Sequence, residues 1–183
     1  MGRKYSIKNQ QNLYFVTFTV IHWSDIFTRD TYRDILYDGI KFCQINKGLN
    51  IHAYCIMSNH VHFVMSAKDN FILSDIIRDL KSFTSRTIRK TLETDFTESR
   101  REWFLKMMRD AGQINKRNND FQFWQQHNHP IELNTNFILD QRINYIHQNP
   151  VIAGLVEEPH YWLHSSAKDY SDFGKSIIEI DFV

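Results

Sequence analysis

Apolar residues recur along the chain in two rhythms, every second position in some stretches and every third or fourth in others, and the rhythm marks the element. Tyr14 to Val20 is aromatic and β-branched behind the turn-prone stretch Asn9 to Asn12, which predicts a first strand. From Arg29 to Asn46, Tyr32, Ile35, Leu36, Ile40 and Cys43 fall at helical spacing, and Lys47-Gly48 closes the pattern. Ile51 to Met57 and His60 to Met65 read as two strands joined by a tight turn at Ser58-Asn59. Ile72, Ile76, Ile77, Leu80, Phe83, Ile88 and Leu92 outline a long amphipathic helix. A further helix is expected around Trp103 to Met108, with no position against the core assigned to it. Phe121 to Trp124 predicts another strand, and His127-Asn128-His129-Pro130 a loop, because proline interrupts a ladder. Asn134 is the expected N-cap of a last helix that Pro150 should end or bend. This order predicts an α+β fold: a ferredoxin-like antiparallel sheet with helices packed on one face and an additional C-terminal helix.

Composition narrows the class. At 183 residues with 42% hydrophobic content, the chain can form one cored domain over 1–183, with a core at about 10–150 and a tail at 151–183. The net charge of +1 gives no global case for nucleic acid, but charge is uneven. Arg78, Lys81, Arg86, Arg89 and Lys90 face a single acid, Asp79, and Arg3, Lys4 and Lys8 add to the basic side. After Glu157 acids dominate. A basic working face and an acidic tail follow, although a solvated helix face explains the same cluster. Cys43 and Cys55 lack a CxxC spacing and read as buried thiols. With no apolar signal core or bilayer-length run, a cytoplasmic protein is expected, nucleoid-associated when bound to DNA.

Candidate chemistry centres on His60 and His62. In a strand they share one face, where two imidazoles can converge on a divalent cation, or simply sit half-exposed beside the turn. Far along the chain Tyr145 and Asn149, four apart on a helix, also share a face. Together these are the parts of a metal-assisted phosphodiester transfer: His60, His62 and Asn149 as ligands and Tyr145 as nucleophile. Tyr145 as a core residue and Asn149 as a helix cap are the plainer alternatives. His129, beside His127, could approach the phosphate. A histidine-triad hydrolase would need a third histidine where Val64 stands.

Several of these segments, in this order, resemble the single-tyrosine HUH transposases, and within them the REP-associated tyrosine transposase group. The matching residues are His60-Val61-His62 after Met57-Ser58-Asn59, Tyr145 to Val151, Ala153 to Val156, and Trp162 with Ser165 to Tyr170. The resemblance implies single-stranded or hairpin DNA as partner, Mg²⁺ or Mn²⁺ as cofactor, and cleavage leaving a 5′-phosphotyrosine and a free 3′-hydroxyl. It matches His60 and His62 to the metal pair, Tyr145 to the nucleophile and Asn149 to the third ligand. The basic helix bearing Arg78, Lys81, Arg86, Arg89 and Lys90 would track phosphates. Ser58 stands where that family usually has proline, and Leu163-His164 departs from its pattern before the paired serines. Relatives of both kinds leave a homodimer or a monomer open, and a non-catalytic hairpin-binding protein of the same fold is the alternative function.

Overall fold

A computed structural model describes residues 6–115 and 120–183, so Arg3 and Lys4 lie outside the described residues. Strand β1 (Tyr14–Thr19) leads through two short 3₁₀ turns to helix α1 (Asp30–Asn46). Strands β2 (Leu49–Ile56) and β3 (His60–Ala67) form the expected hairpin, followed by helices α2 (Leu73–Thr94) and α3 (Arg101–Ile114). Strand β4 (Ile131–Glu132) and helix α4 (Asn136–Ile152) complete the order. The sheet is antiparallel with order β2-β3-β1-β4, so the α+β ferredoxin-like expectation holds.

Strand alternation sends two sets of side chains to opposite faces. Val16, Phe18, Val61 and Phe63 face α1 and α2, packing with Leu36, Ile40, Ile77 and Leu80 in the larger core. Gly39 permits this close helix pair, since a Cβ there would fall 2.9 Å from Leu80 Cδ1. Helix α3 joins the same core through Phe104 and Met108. Phe15, Ala53, Cys55 and Val64 face the other way, where Ile143 and Ile146 of α4 cover them. The helices therefore occupy both faces, with α4 alone across the second among the described elements.

Three local expectations are corrected. Phe121 to Trp124 is not a regular strand: Trp124 makes a single bridge to Val20, and the paired strand comes later, at Ile131–Glu132. The edge is interrupted between them because Pro130 lacks a donor and His129 adopts φ 43°. Helix α4 starts from Thr135, whose Oγ1 accepts from the Ile138 amide at 3.3 Å, rather than from Asn134. It also continues through Pro150 to Ile152, since a proline in the last turn forfeits only one ladder bond.

The segment after α4 lines the free edge of β2. The His164 carbonyl accepts from the Ile56 amide at 2.8 Å, Ser166 Oγ accepts from the Tyr54 amide at 2.9 Å, and the Asp181 amide donates to the Ile51 carbonyl at 2.9 Å. No helix among the described residues is long and apolar enough to cross a membrane.

Candidate active site

β3 pairs with β1 so that His62 stands opposite Thr17 and His60 opposite Thr19, all on the sheet face that α4 crosses. The two imidazole centroids are 4.7 Å apart. Each ring is oriented through Nδ1. Asn59 donates its amide to the Trp23 carbonyl at 3.2 Å, which turns its Oδ1 toward His60 Nδ1 at 2.6 Å. An amide oxygen can only accept, so that nitrogen carries the proton and His60 Nε2 keeps a free lone pair. His62 Nδ1 lies 2.8 Å from Thr17 Oγ1, a hydroxyl that can accept from it and so accommodates the same tautomer. Such partners commonly fix the tautomer and direction of a metal-binding histidine.

Burial pulls the pKa of His60 below the ordinary imidazole value and that of His62 down to about 3, with the neighbouring His60 adding to the effect on His62. Both rings are neutral at pH 7, the form that can donate to a metal. The Asn149 side chain acts on both in the opposite sense. Asn149 Nδ2 donates to the Tyr145 carbonyl at 2.8 Å, leaving Oδ1 as the atom offered to the rings. Two imidazole nitrogens and one amide oxygen thus converge. Among the described residues, no group of three or more His, Cys, Asp or Glu could hold a metal, so this mixed, uncharged set is the candidate.

Tyr145 comes off α4 one turn earlier. Its ring meets His62 edge-on at 5.3 Å and Phe15 at 5.9 Å, and Phe15 itself stacks on His62 at 5.4 Å. At 43% exposure it is not a core tyrosine. The four residues singled out from sequence therefore come together.

The basic helix does not join them. α2 packs on the opposite sheet face, and most of its cations have local partners. Arg78 pairs with Asp75 and Asp79, and Arg89 with Glu93. Lys81 Nζ bonds the Gln125 carbonyl and Asn128 Oδ1 at 2.8 and 2.6 Å, bracing the break in the edge strand. Burial lowers its pKa to about 7. Arg86 donates to its own helix at Ser82 O, and Lys90 is exposed. His129 lies in the edge break, its ring 6.0 Å from that of His127.

Residues 9–106 match the family model described as IS200-like transposase. The chain belongs to the IS200-like transposase family. The matched region carries His60 and His62 but stops before α4, so Tyr145 and Asn149 enter the site on geometry alone. The structure of a REP-associated tyrosine transposase bound to a REP hairpin is similar at TM-score 0.67 and 15% identity, covering 100% of this chain and 94% of that one. A crystal structure of a candidate transposase from Deinococcus radiodurans R1 aligns at TM-score 0.45 and 19% identity, covering 80% of this chain and 94% of that one. No curated protein sequence matches. The first of these likenesses supports the IS200-like chain's fold.

Three neighbours of the site escaped the sequence reading. Thr17 and Asn59 orient the histidines, and Trp23, 59% exposed, stands edge-on to His60 at 5.8 Å. His22 and Trp23 hold φ of 53° and 56°, a left-handed pair that sequence spacing does not announce. Asn59 was legible only as a turn residue.

Proposed function

We propose that this transposase-family chain cleaves and rejoins single-stranded DNA near hairpins through a covalent 5′-phosphotyrosine on Tyr145. The observation that carries the reading is the convergence of Tyr145 on His62 beside the lone pairs of His60 and His62 and the Asn149 oxygen. Those three donors are uncharged, which fits a divalent cation that shares its charge with a DNA phosphate. His60, His62 and Asn149 would hold Mg²⁺ or Mn²⁺. Such an ion supplies Lewis acidity to a phosphate oxygen.

The chain's own part is positional. Tyrosine, with an ordinary pKa of about 10, is a weak nucleophile at neutral pH, so alignment at an electrophilic phosphorus matters more than basicity. Tyr145 Oη bonds to phosphorus as the bond to the 3′-oxygen breaks. The phenolic proton leaves and the departing 3′-oxygen gains one. One phosphodiester replaces another, so the strand can be resealed by the reverse attack without an energy source. Phe15, stacked on His62 and edge-on to Tyr145, holds the two rings in register.

The REP hairpin on the structural relative makes labelled hairpin oligonucleotides with single-stranded flanks the first substrates to try. With Mn²⁺, the protein is expected to release a fragment with a free 3′-hydroxyl, and EDTA, His60→Ala or His62→Ala to abolish release while hairpin binding remains measurable. Binding without release across a broad oligonucleotide pool would instead identify a non-catalytic hairpin-binding protein.

A further inference from the structure

Arg142 lies three residues before Tyr145 on α4 and therefore on the same helical side. Its guanidinium sits 5.2 Å from the centroid of Phe15, the ring that also packs on His62 and Tyr145. Its charge is felt at His62, where it helps keep that ring neutral. Unlike the paired arginines of α2, Arg142 forms no ion pair among the described residues, and its Nε is buried with no hydrogen-bond partner. A permanent cation with no acid partner attracts an anion, which the two terminal guanidinium nitrogens can receive while the buried Nε stays against the protein. A phosphodiester is the anion whose two free oxygens fit the planar guanidinium fork.

We propose that Arg142 is a phosphate-binding residue of this site, receiving the free oxygens of the phosphodiester that Tyr145 attacks. This rests on the phosphotyrosine reading above. It assigns phosphate recognition to α4 and to the histidine face rather than to the basic surface of α2. Phe15 serves as the plate that keeps the guanidinium flat and near the tyrosine.

The test is binding of a fluorescent single-stranded hairpin oligonucleotide, measured across a sodium chloride series in a Tyr145→Phe background that blocks turnover. Arg142→Met keeps an unbranched stem over Phe15 and removes the charge, whereas Arg142→Lys retains it. The Met change should weaken binding roughly 10- to 100-fold. It should also flatten the slope of log K against log salt by about 0.7, the value of one phosphate contact on a single strand. The Lys variant should keep the slope. Oligonucleotides carrying one neutral methylphosphonate should show a penalty at one position that vanishes in Arg142→Met, and that position should be the phosphate cleaved by the Tyr145 chain. If the Met variant fails to melt cooperatively, Arg142→Gln is held to the same criteria.

An unchanged slope and an unchanged methylphosphonate profile overturn the inference. If the Tyr145 chain still forms its adduct in that case, only the role of Arg142 falls. If the slope changes but no adduct ever forms, the phosphate site stands and the tyrosine transfer falls.

Discussion

Thr17 shows how much of this site depends on single partners. Its hydroxyl fixes His62 Nδ1 at 2.8 Å, and losing such a partner typically costs about 10- to 100-fold in metal affinity. Thr17→Val should weaken Mn²⁺ binding by that order in a calorimetric titration, while Thr17→Ser should retain it. Equal affinities in all three proteins would remove Thr17 from the site. A second buried histidine controls stability rather than chemistry. His52 lies between the Asp181 carbonyl and Ser66 Oγ, and burial holds its pKa below the usual imidazole value. Above about pH 6.5 the ring is neutral in folded and unfolded chains alike; below that, the unfolded chain takes up a proton that the folded one resists, so stability declines as pH falls. Urea midpoints should therefore drop between about pH 7 and pH 5, and drop less in a folded His52→Gln variant. The HVH triplet was legible because alternation in a strand puts both rings on one face. Thr17 was not, because its partnership with His62 depends on cross-strand register between residues 45 positions apart.

At the level of elements, α4 determines whether the parts meet. Its helical spacing was plain in the sequence, and that spacing already placed Tyr145 and Asn149 on one side. Which face of the sheet it would cover was not plain, because Phe15, Ala53, Cys55 and Val64 are as apolar as the residues beneath α1 and α2. Ile146, fully buried on that second face, anchors the helix. Ile146→Ala should cost about 2–5 kcal/mol by chemical denaturation, with activity loss in the folded fraction as Tyr145 loosens. A cost near zero would show that α4 is held some other way, for example by the His147–Ser166 hydrogen bond at 2.8 Å. The edge strand was harder to read for the opposite reason. Phe121 to Trp124 has strand-like residues, but Phe123 and Trp124 pack as buried core side chains in a largely irregular segment, and pairing resumes only past Pro130.

Across the whole molecule, the C-terminal segment does what its acidity did not suggest. It occupies the outer edge of β2 through Ser166, Tyr170 and Asp181, and buries Ile178 in the larger core. An edge so covered offers few free backbone groups for pairing with a second chain. His62 and Tyr145 are in ring contact within one chain, which supports a tyrosine acting on its own histidines. Mixing Tyr145→Phe with His60→Ala protein should therefore restore no cleavage; recovery would require a tyrosine helix exchanged between subunits.

The identity of the nucleophile is tested most directly by mapping the covalent product. The protein would be reacted with hairpin DNA and Mn²⁺, denatured, treated with nuclease and proteolysed, and its peptides sequenced by mass spectrometry. A nucleotide 5′-phosphate should be found on Tyr145 and be lost in Tyr145→Phe. A modification on Tyr161 or Tyr170, or DNA cleaved with no peptide modified, would contradict the site built from His60, His62, Asn149 and Tyr145.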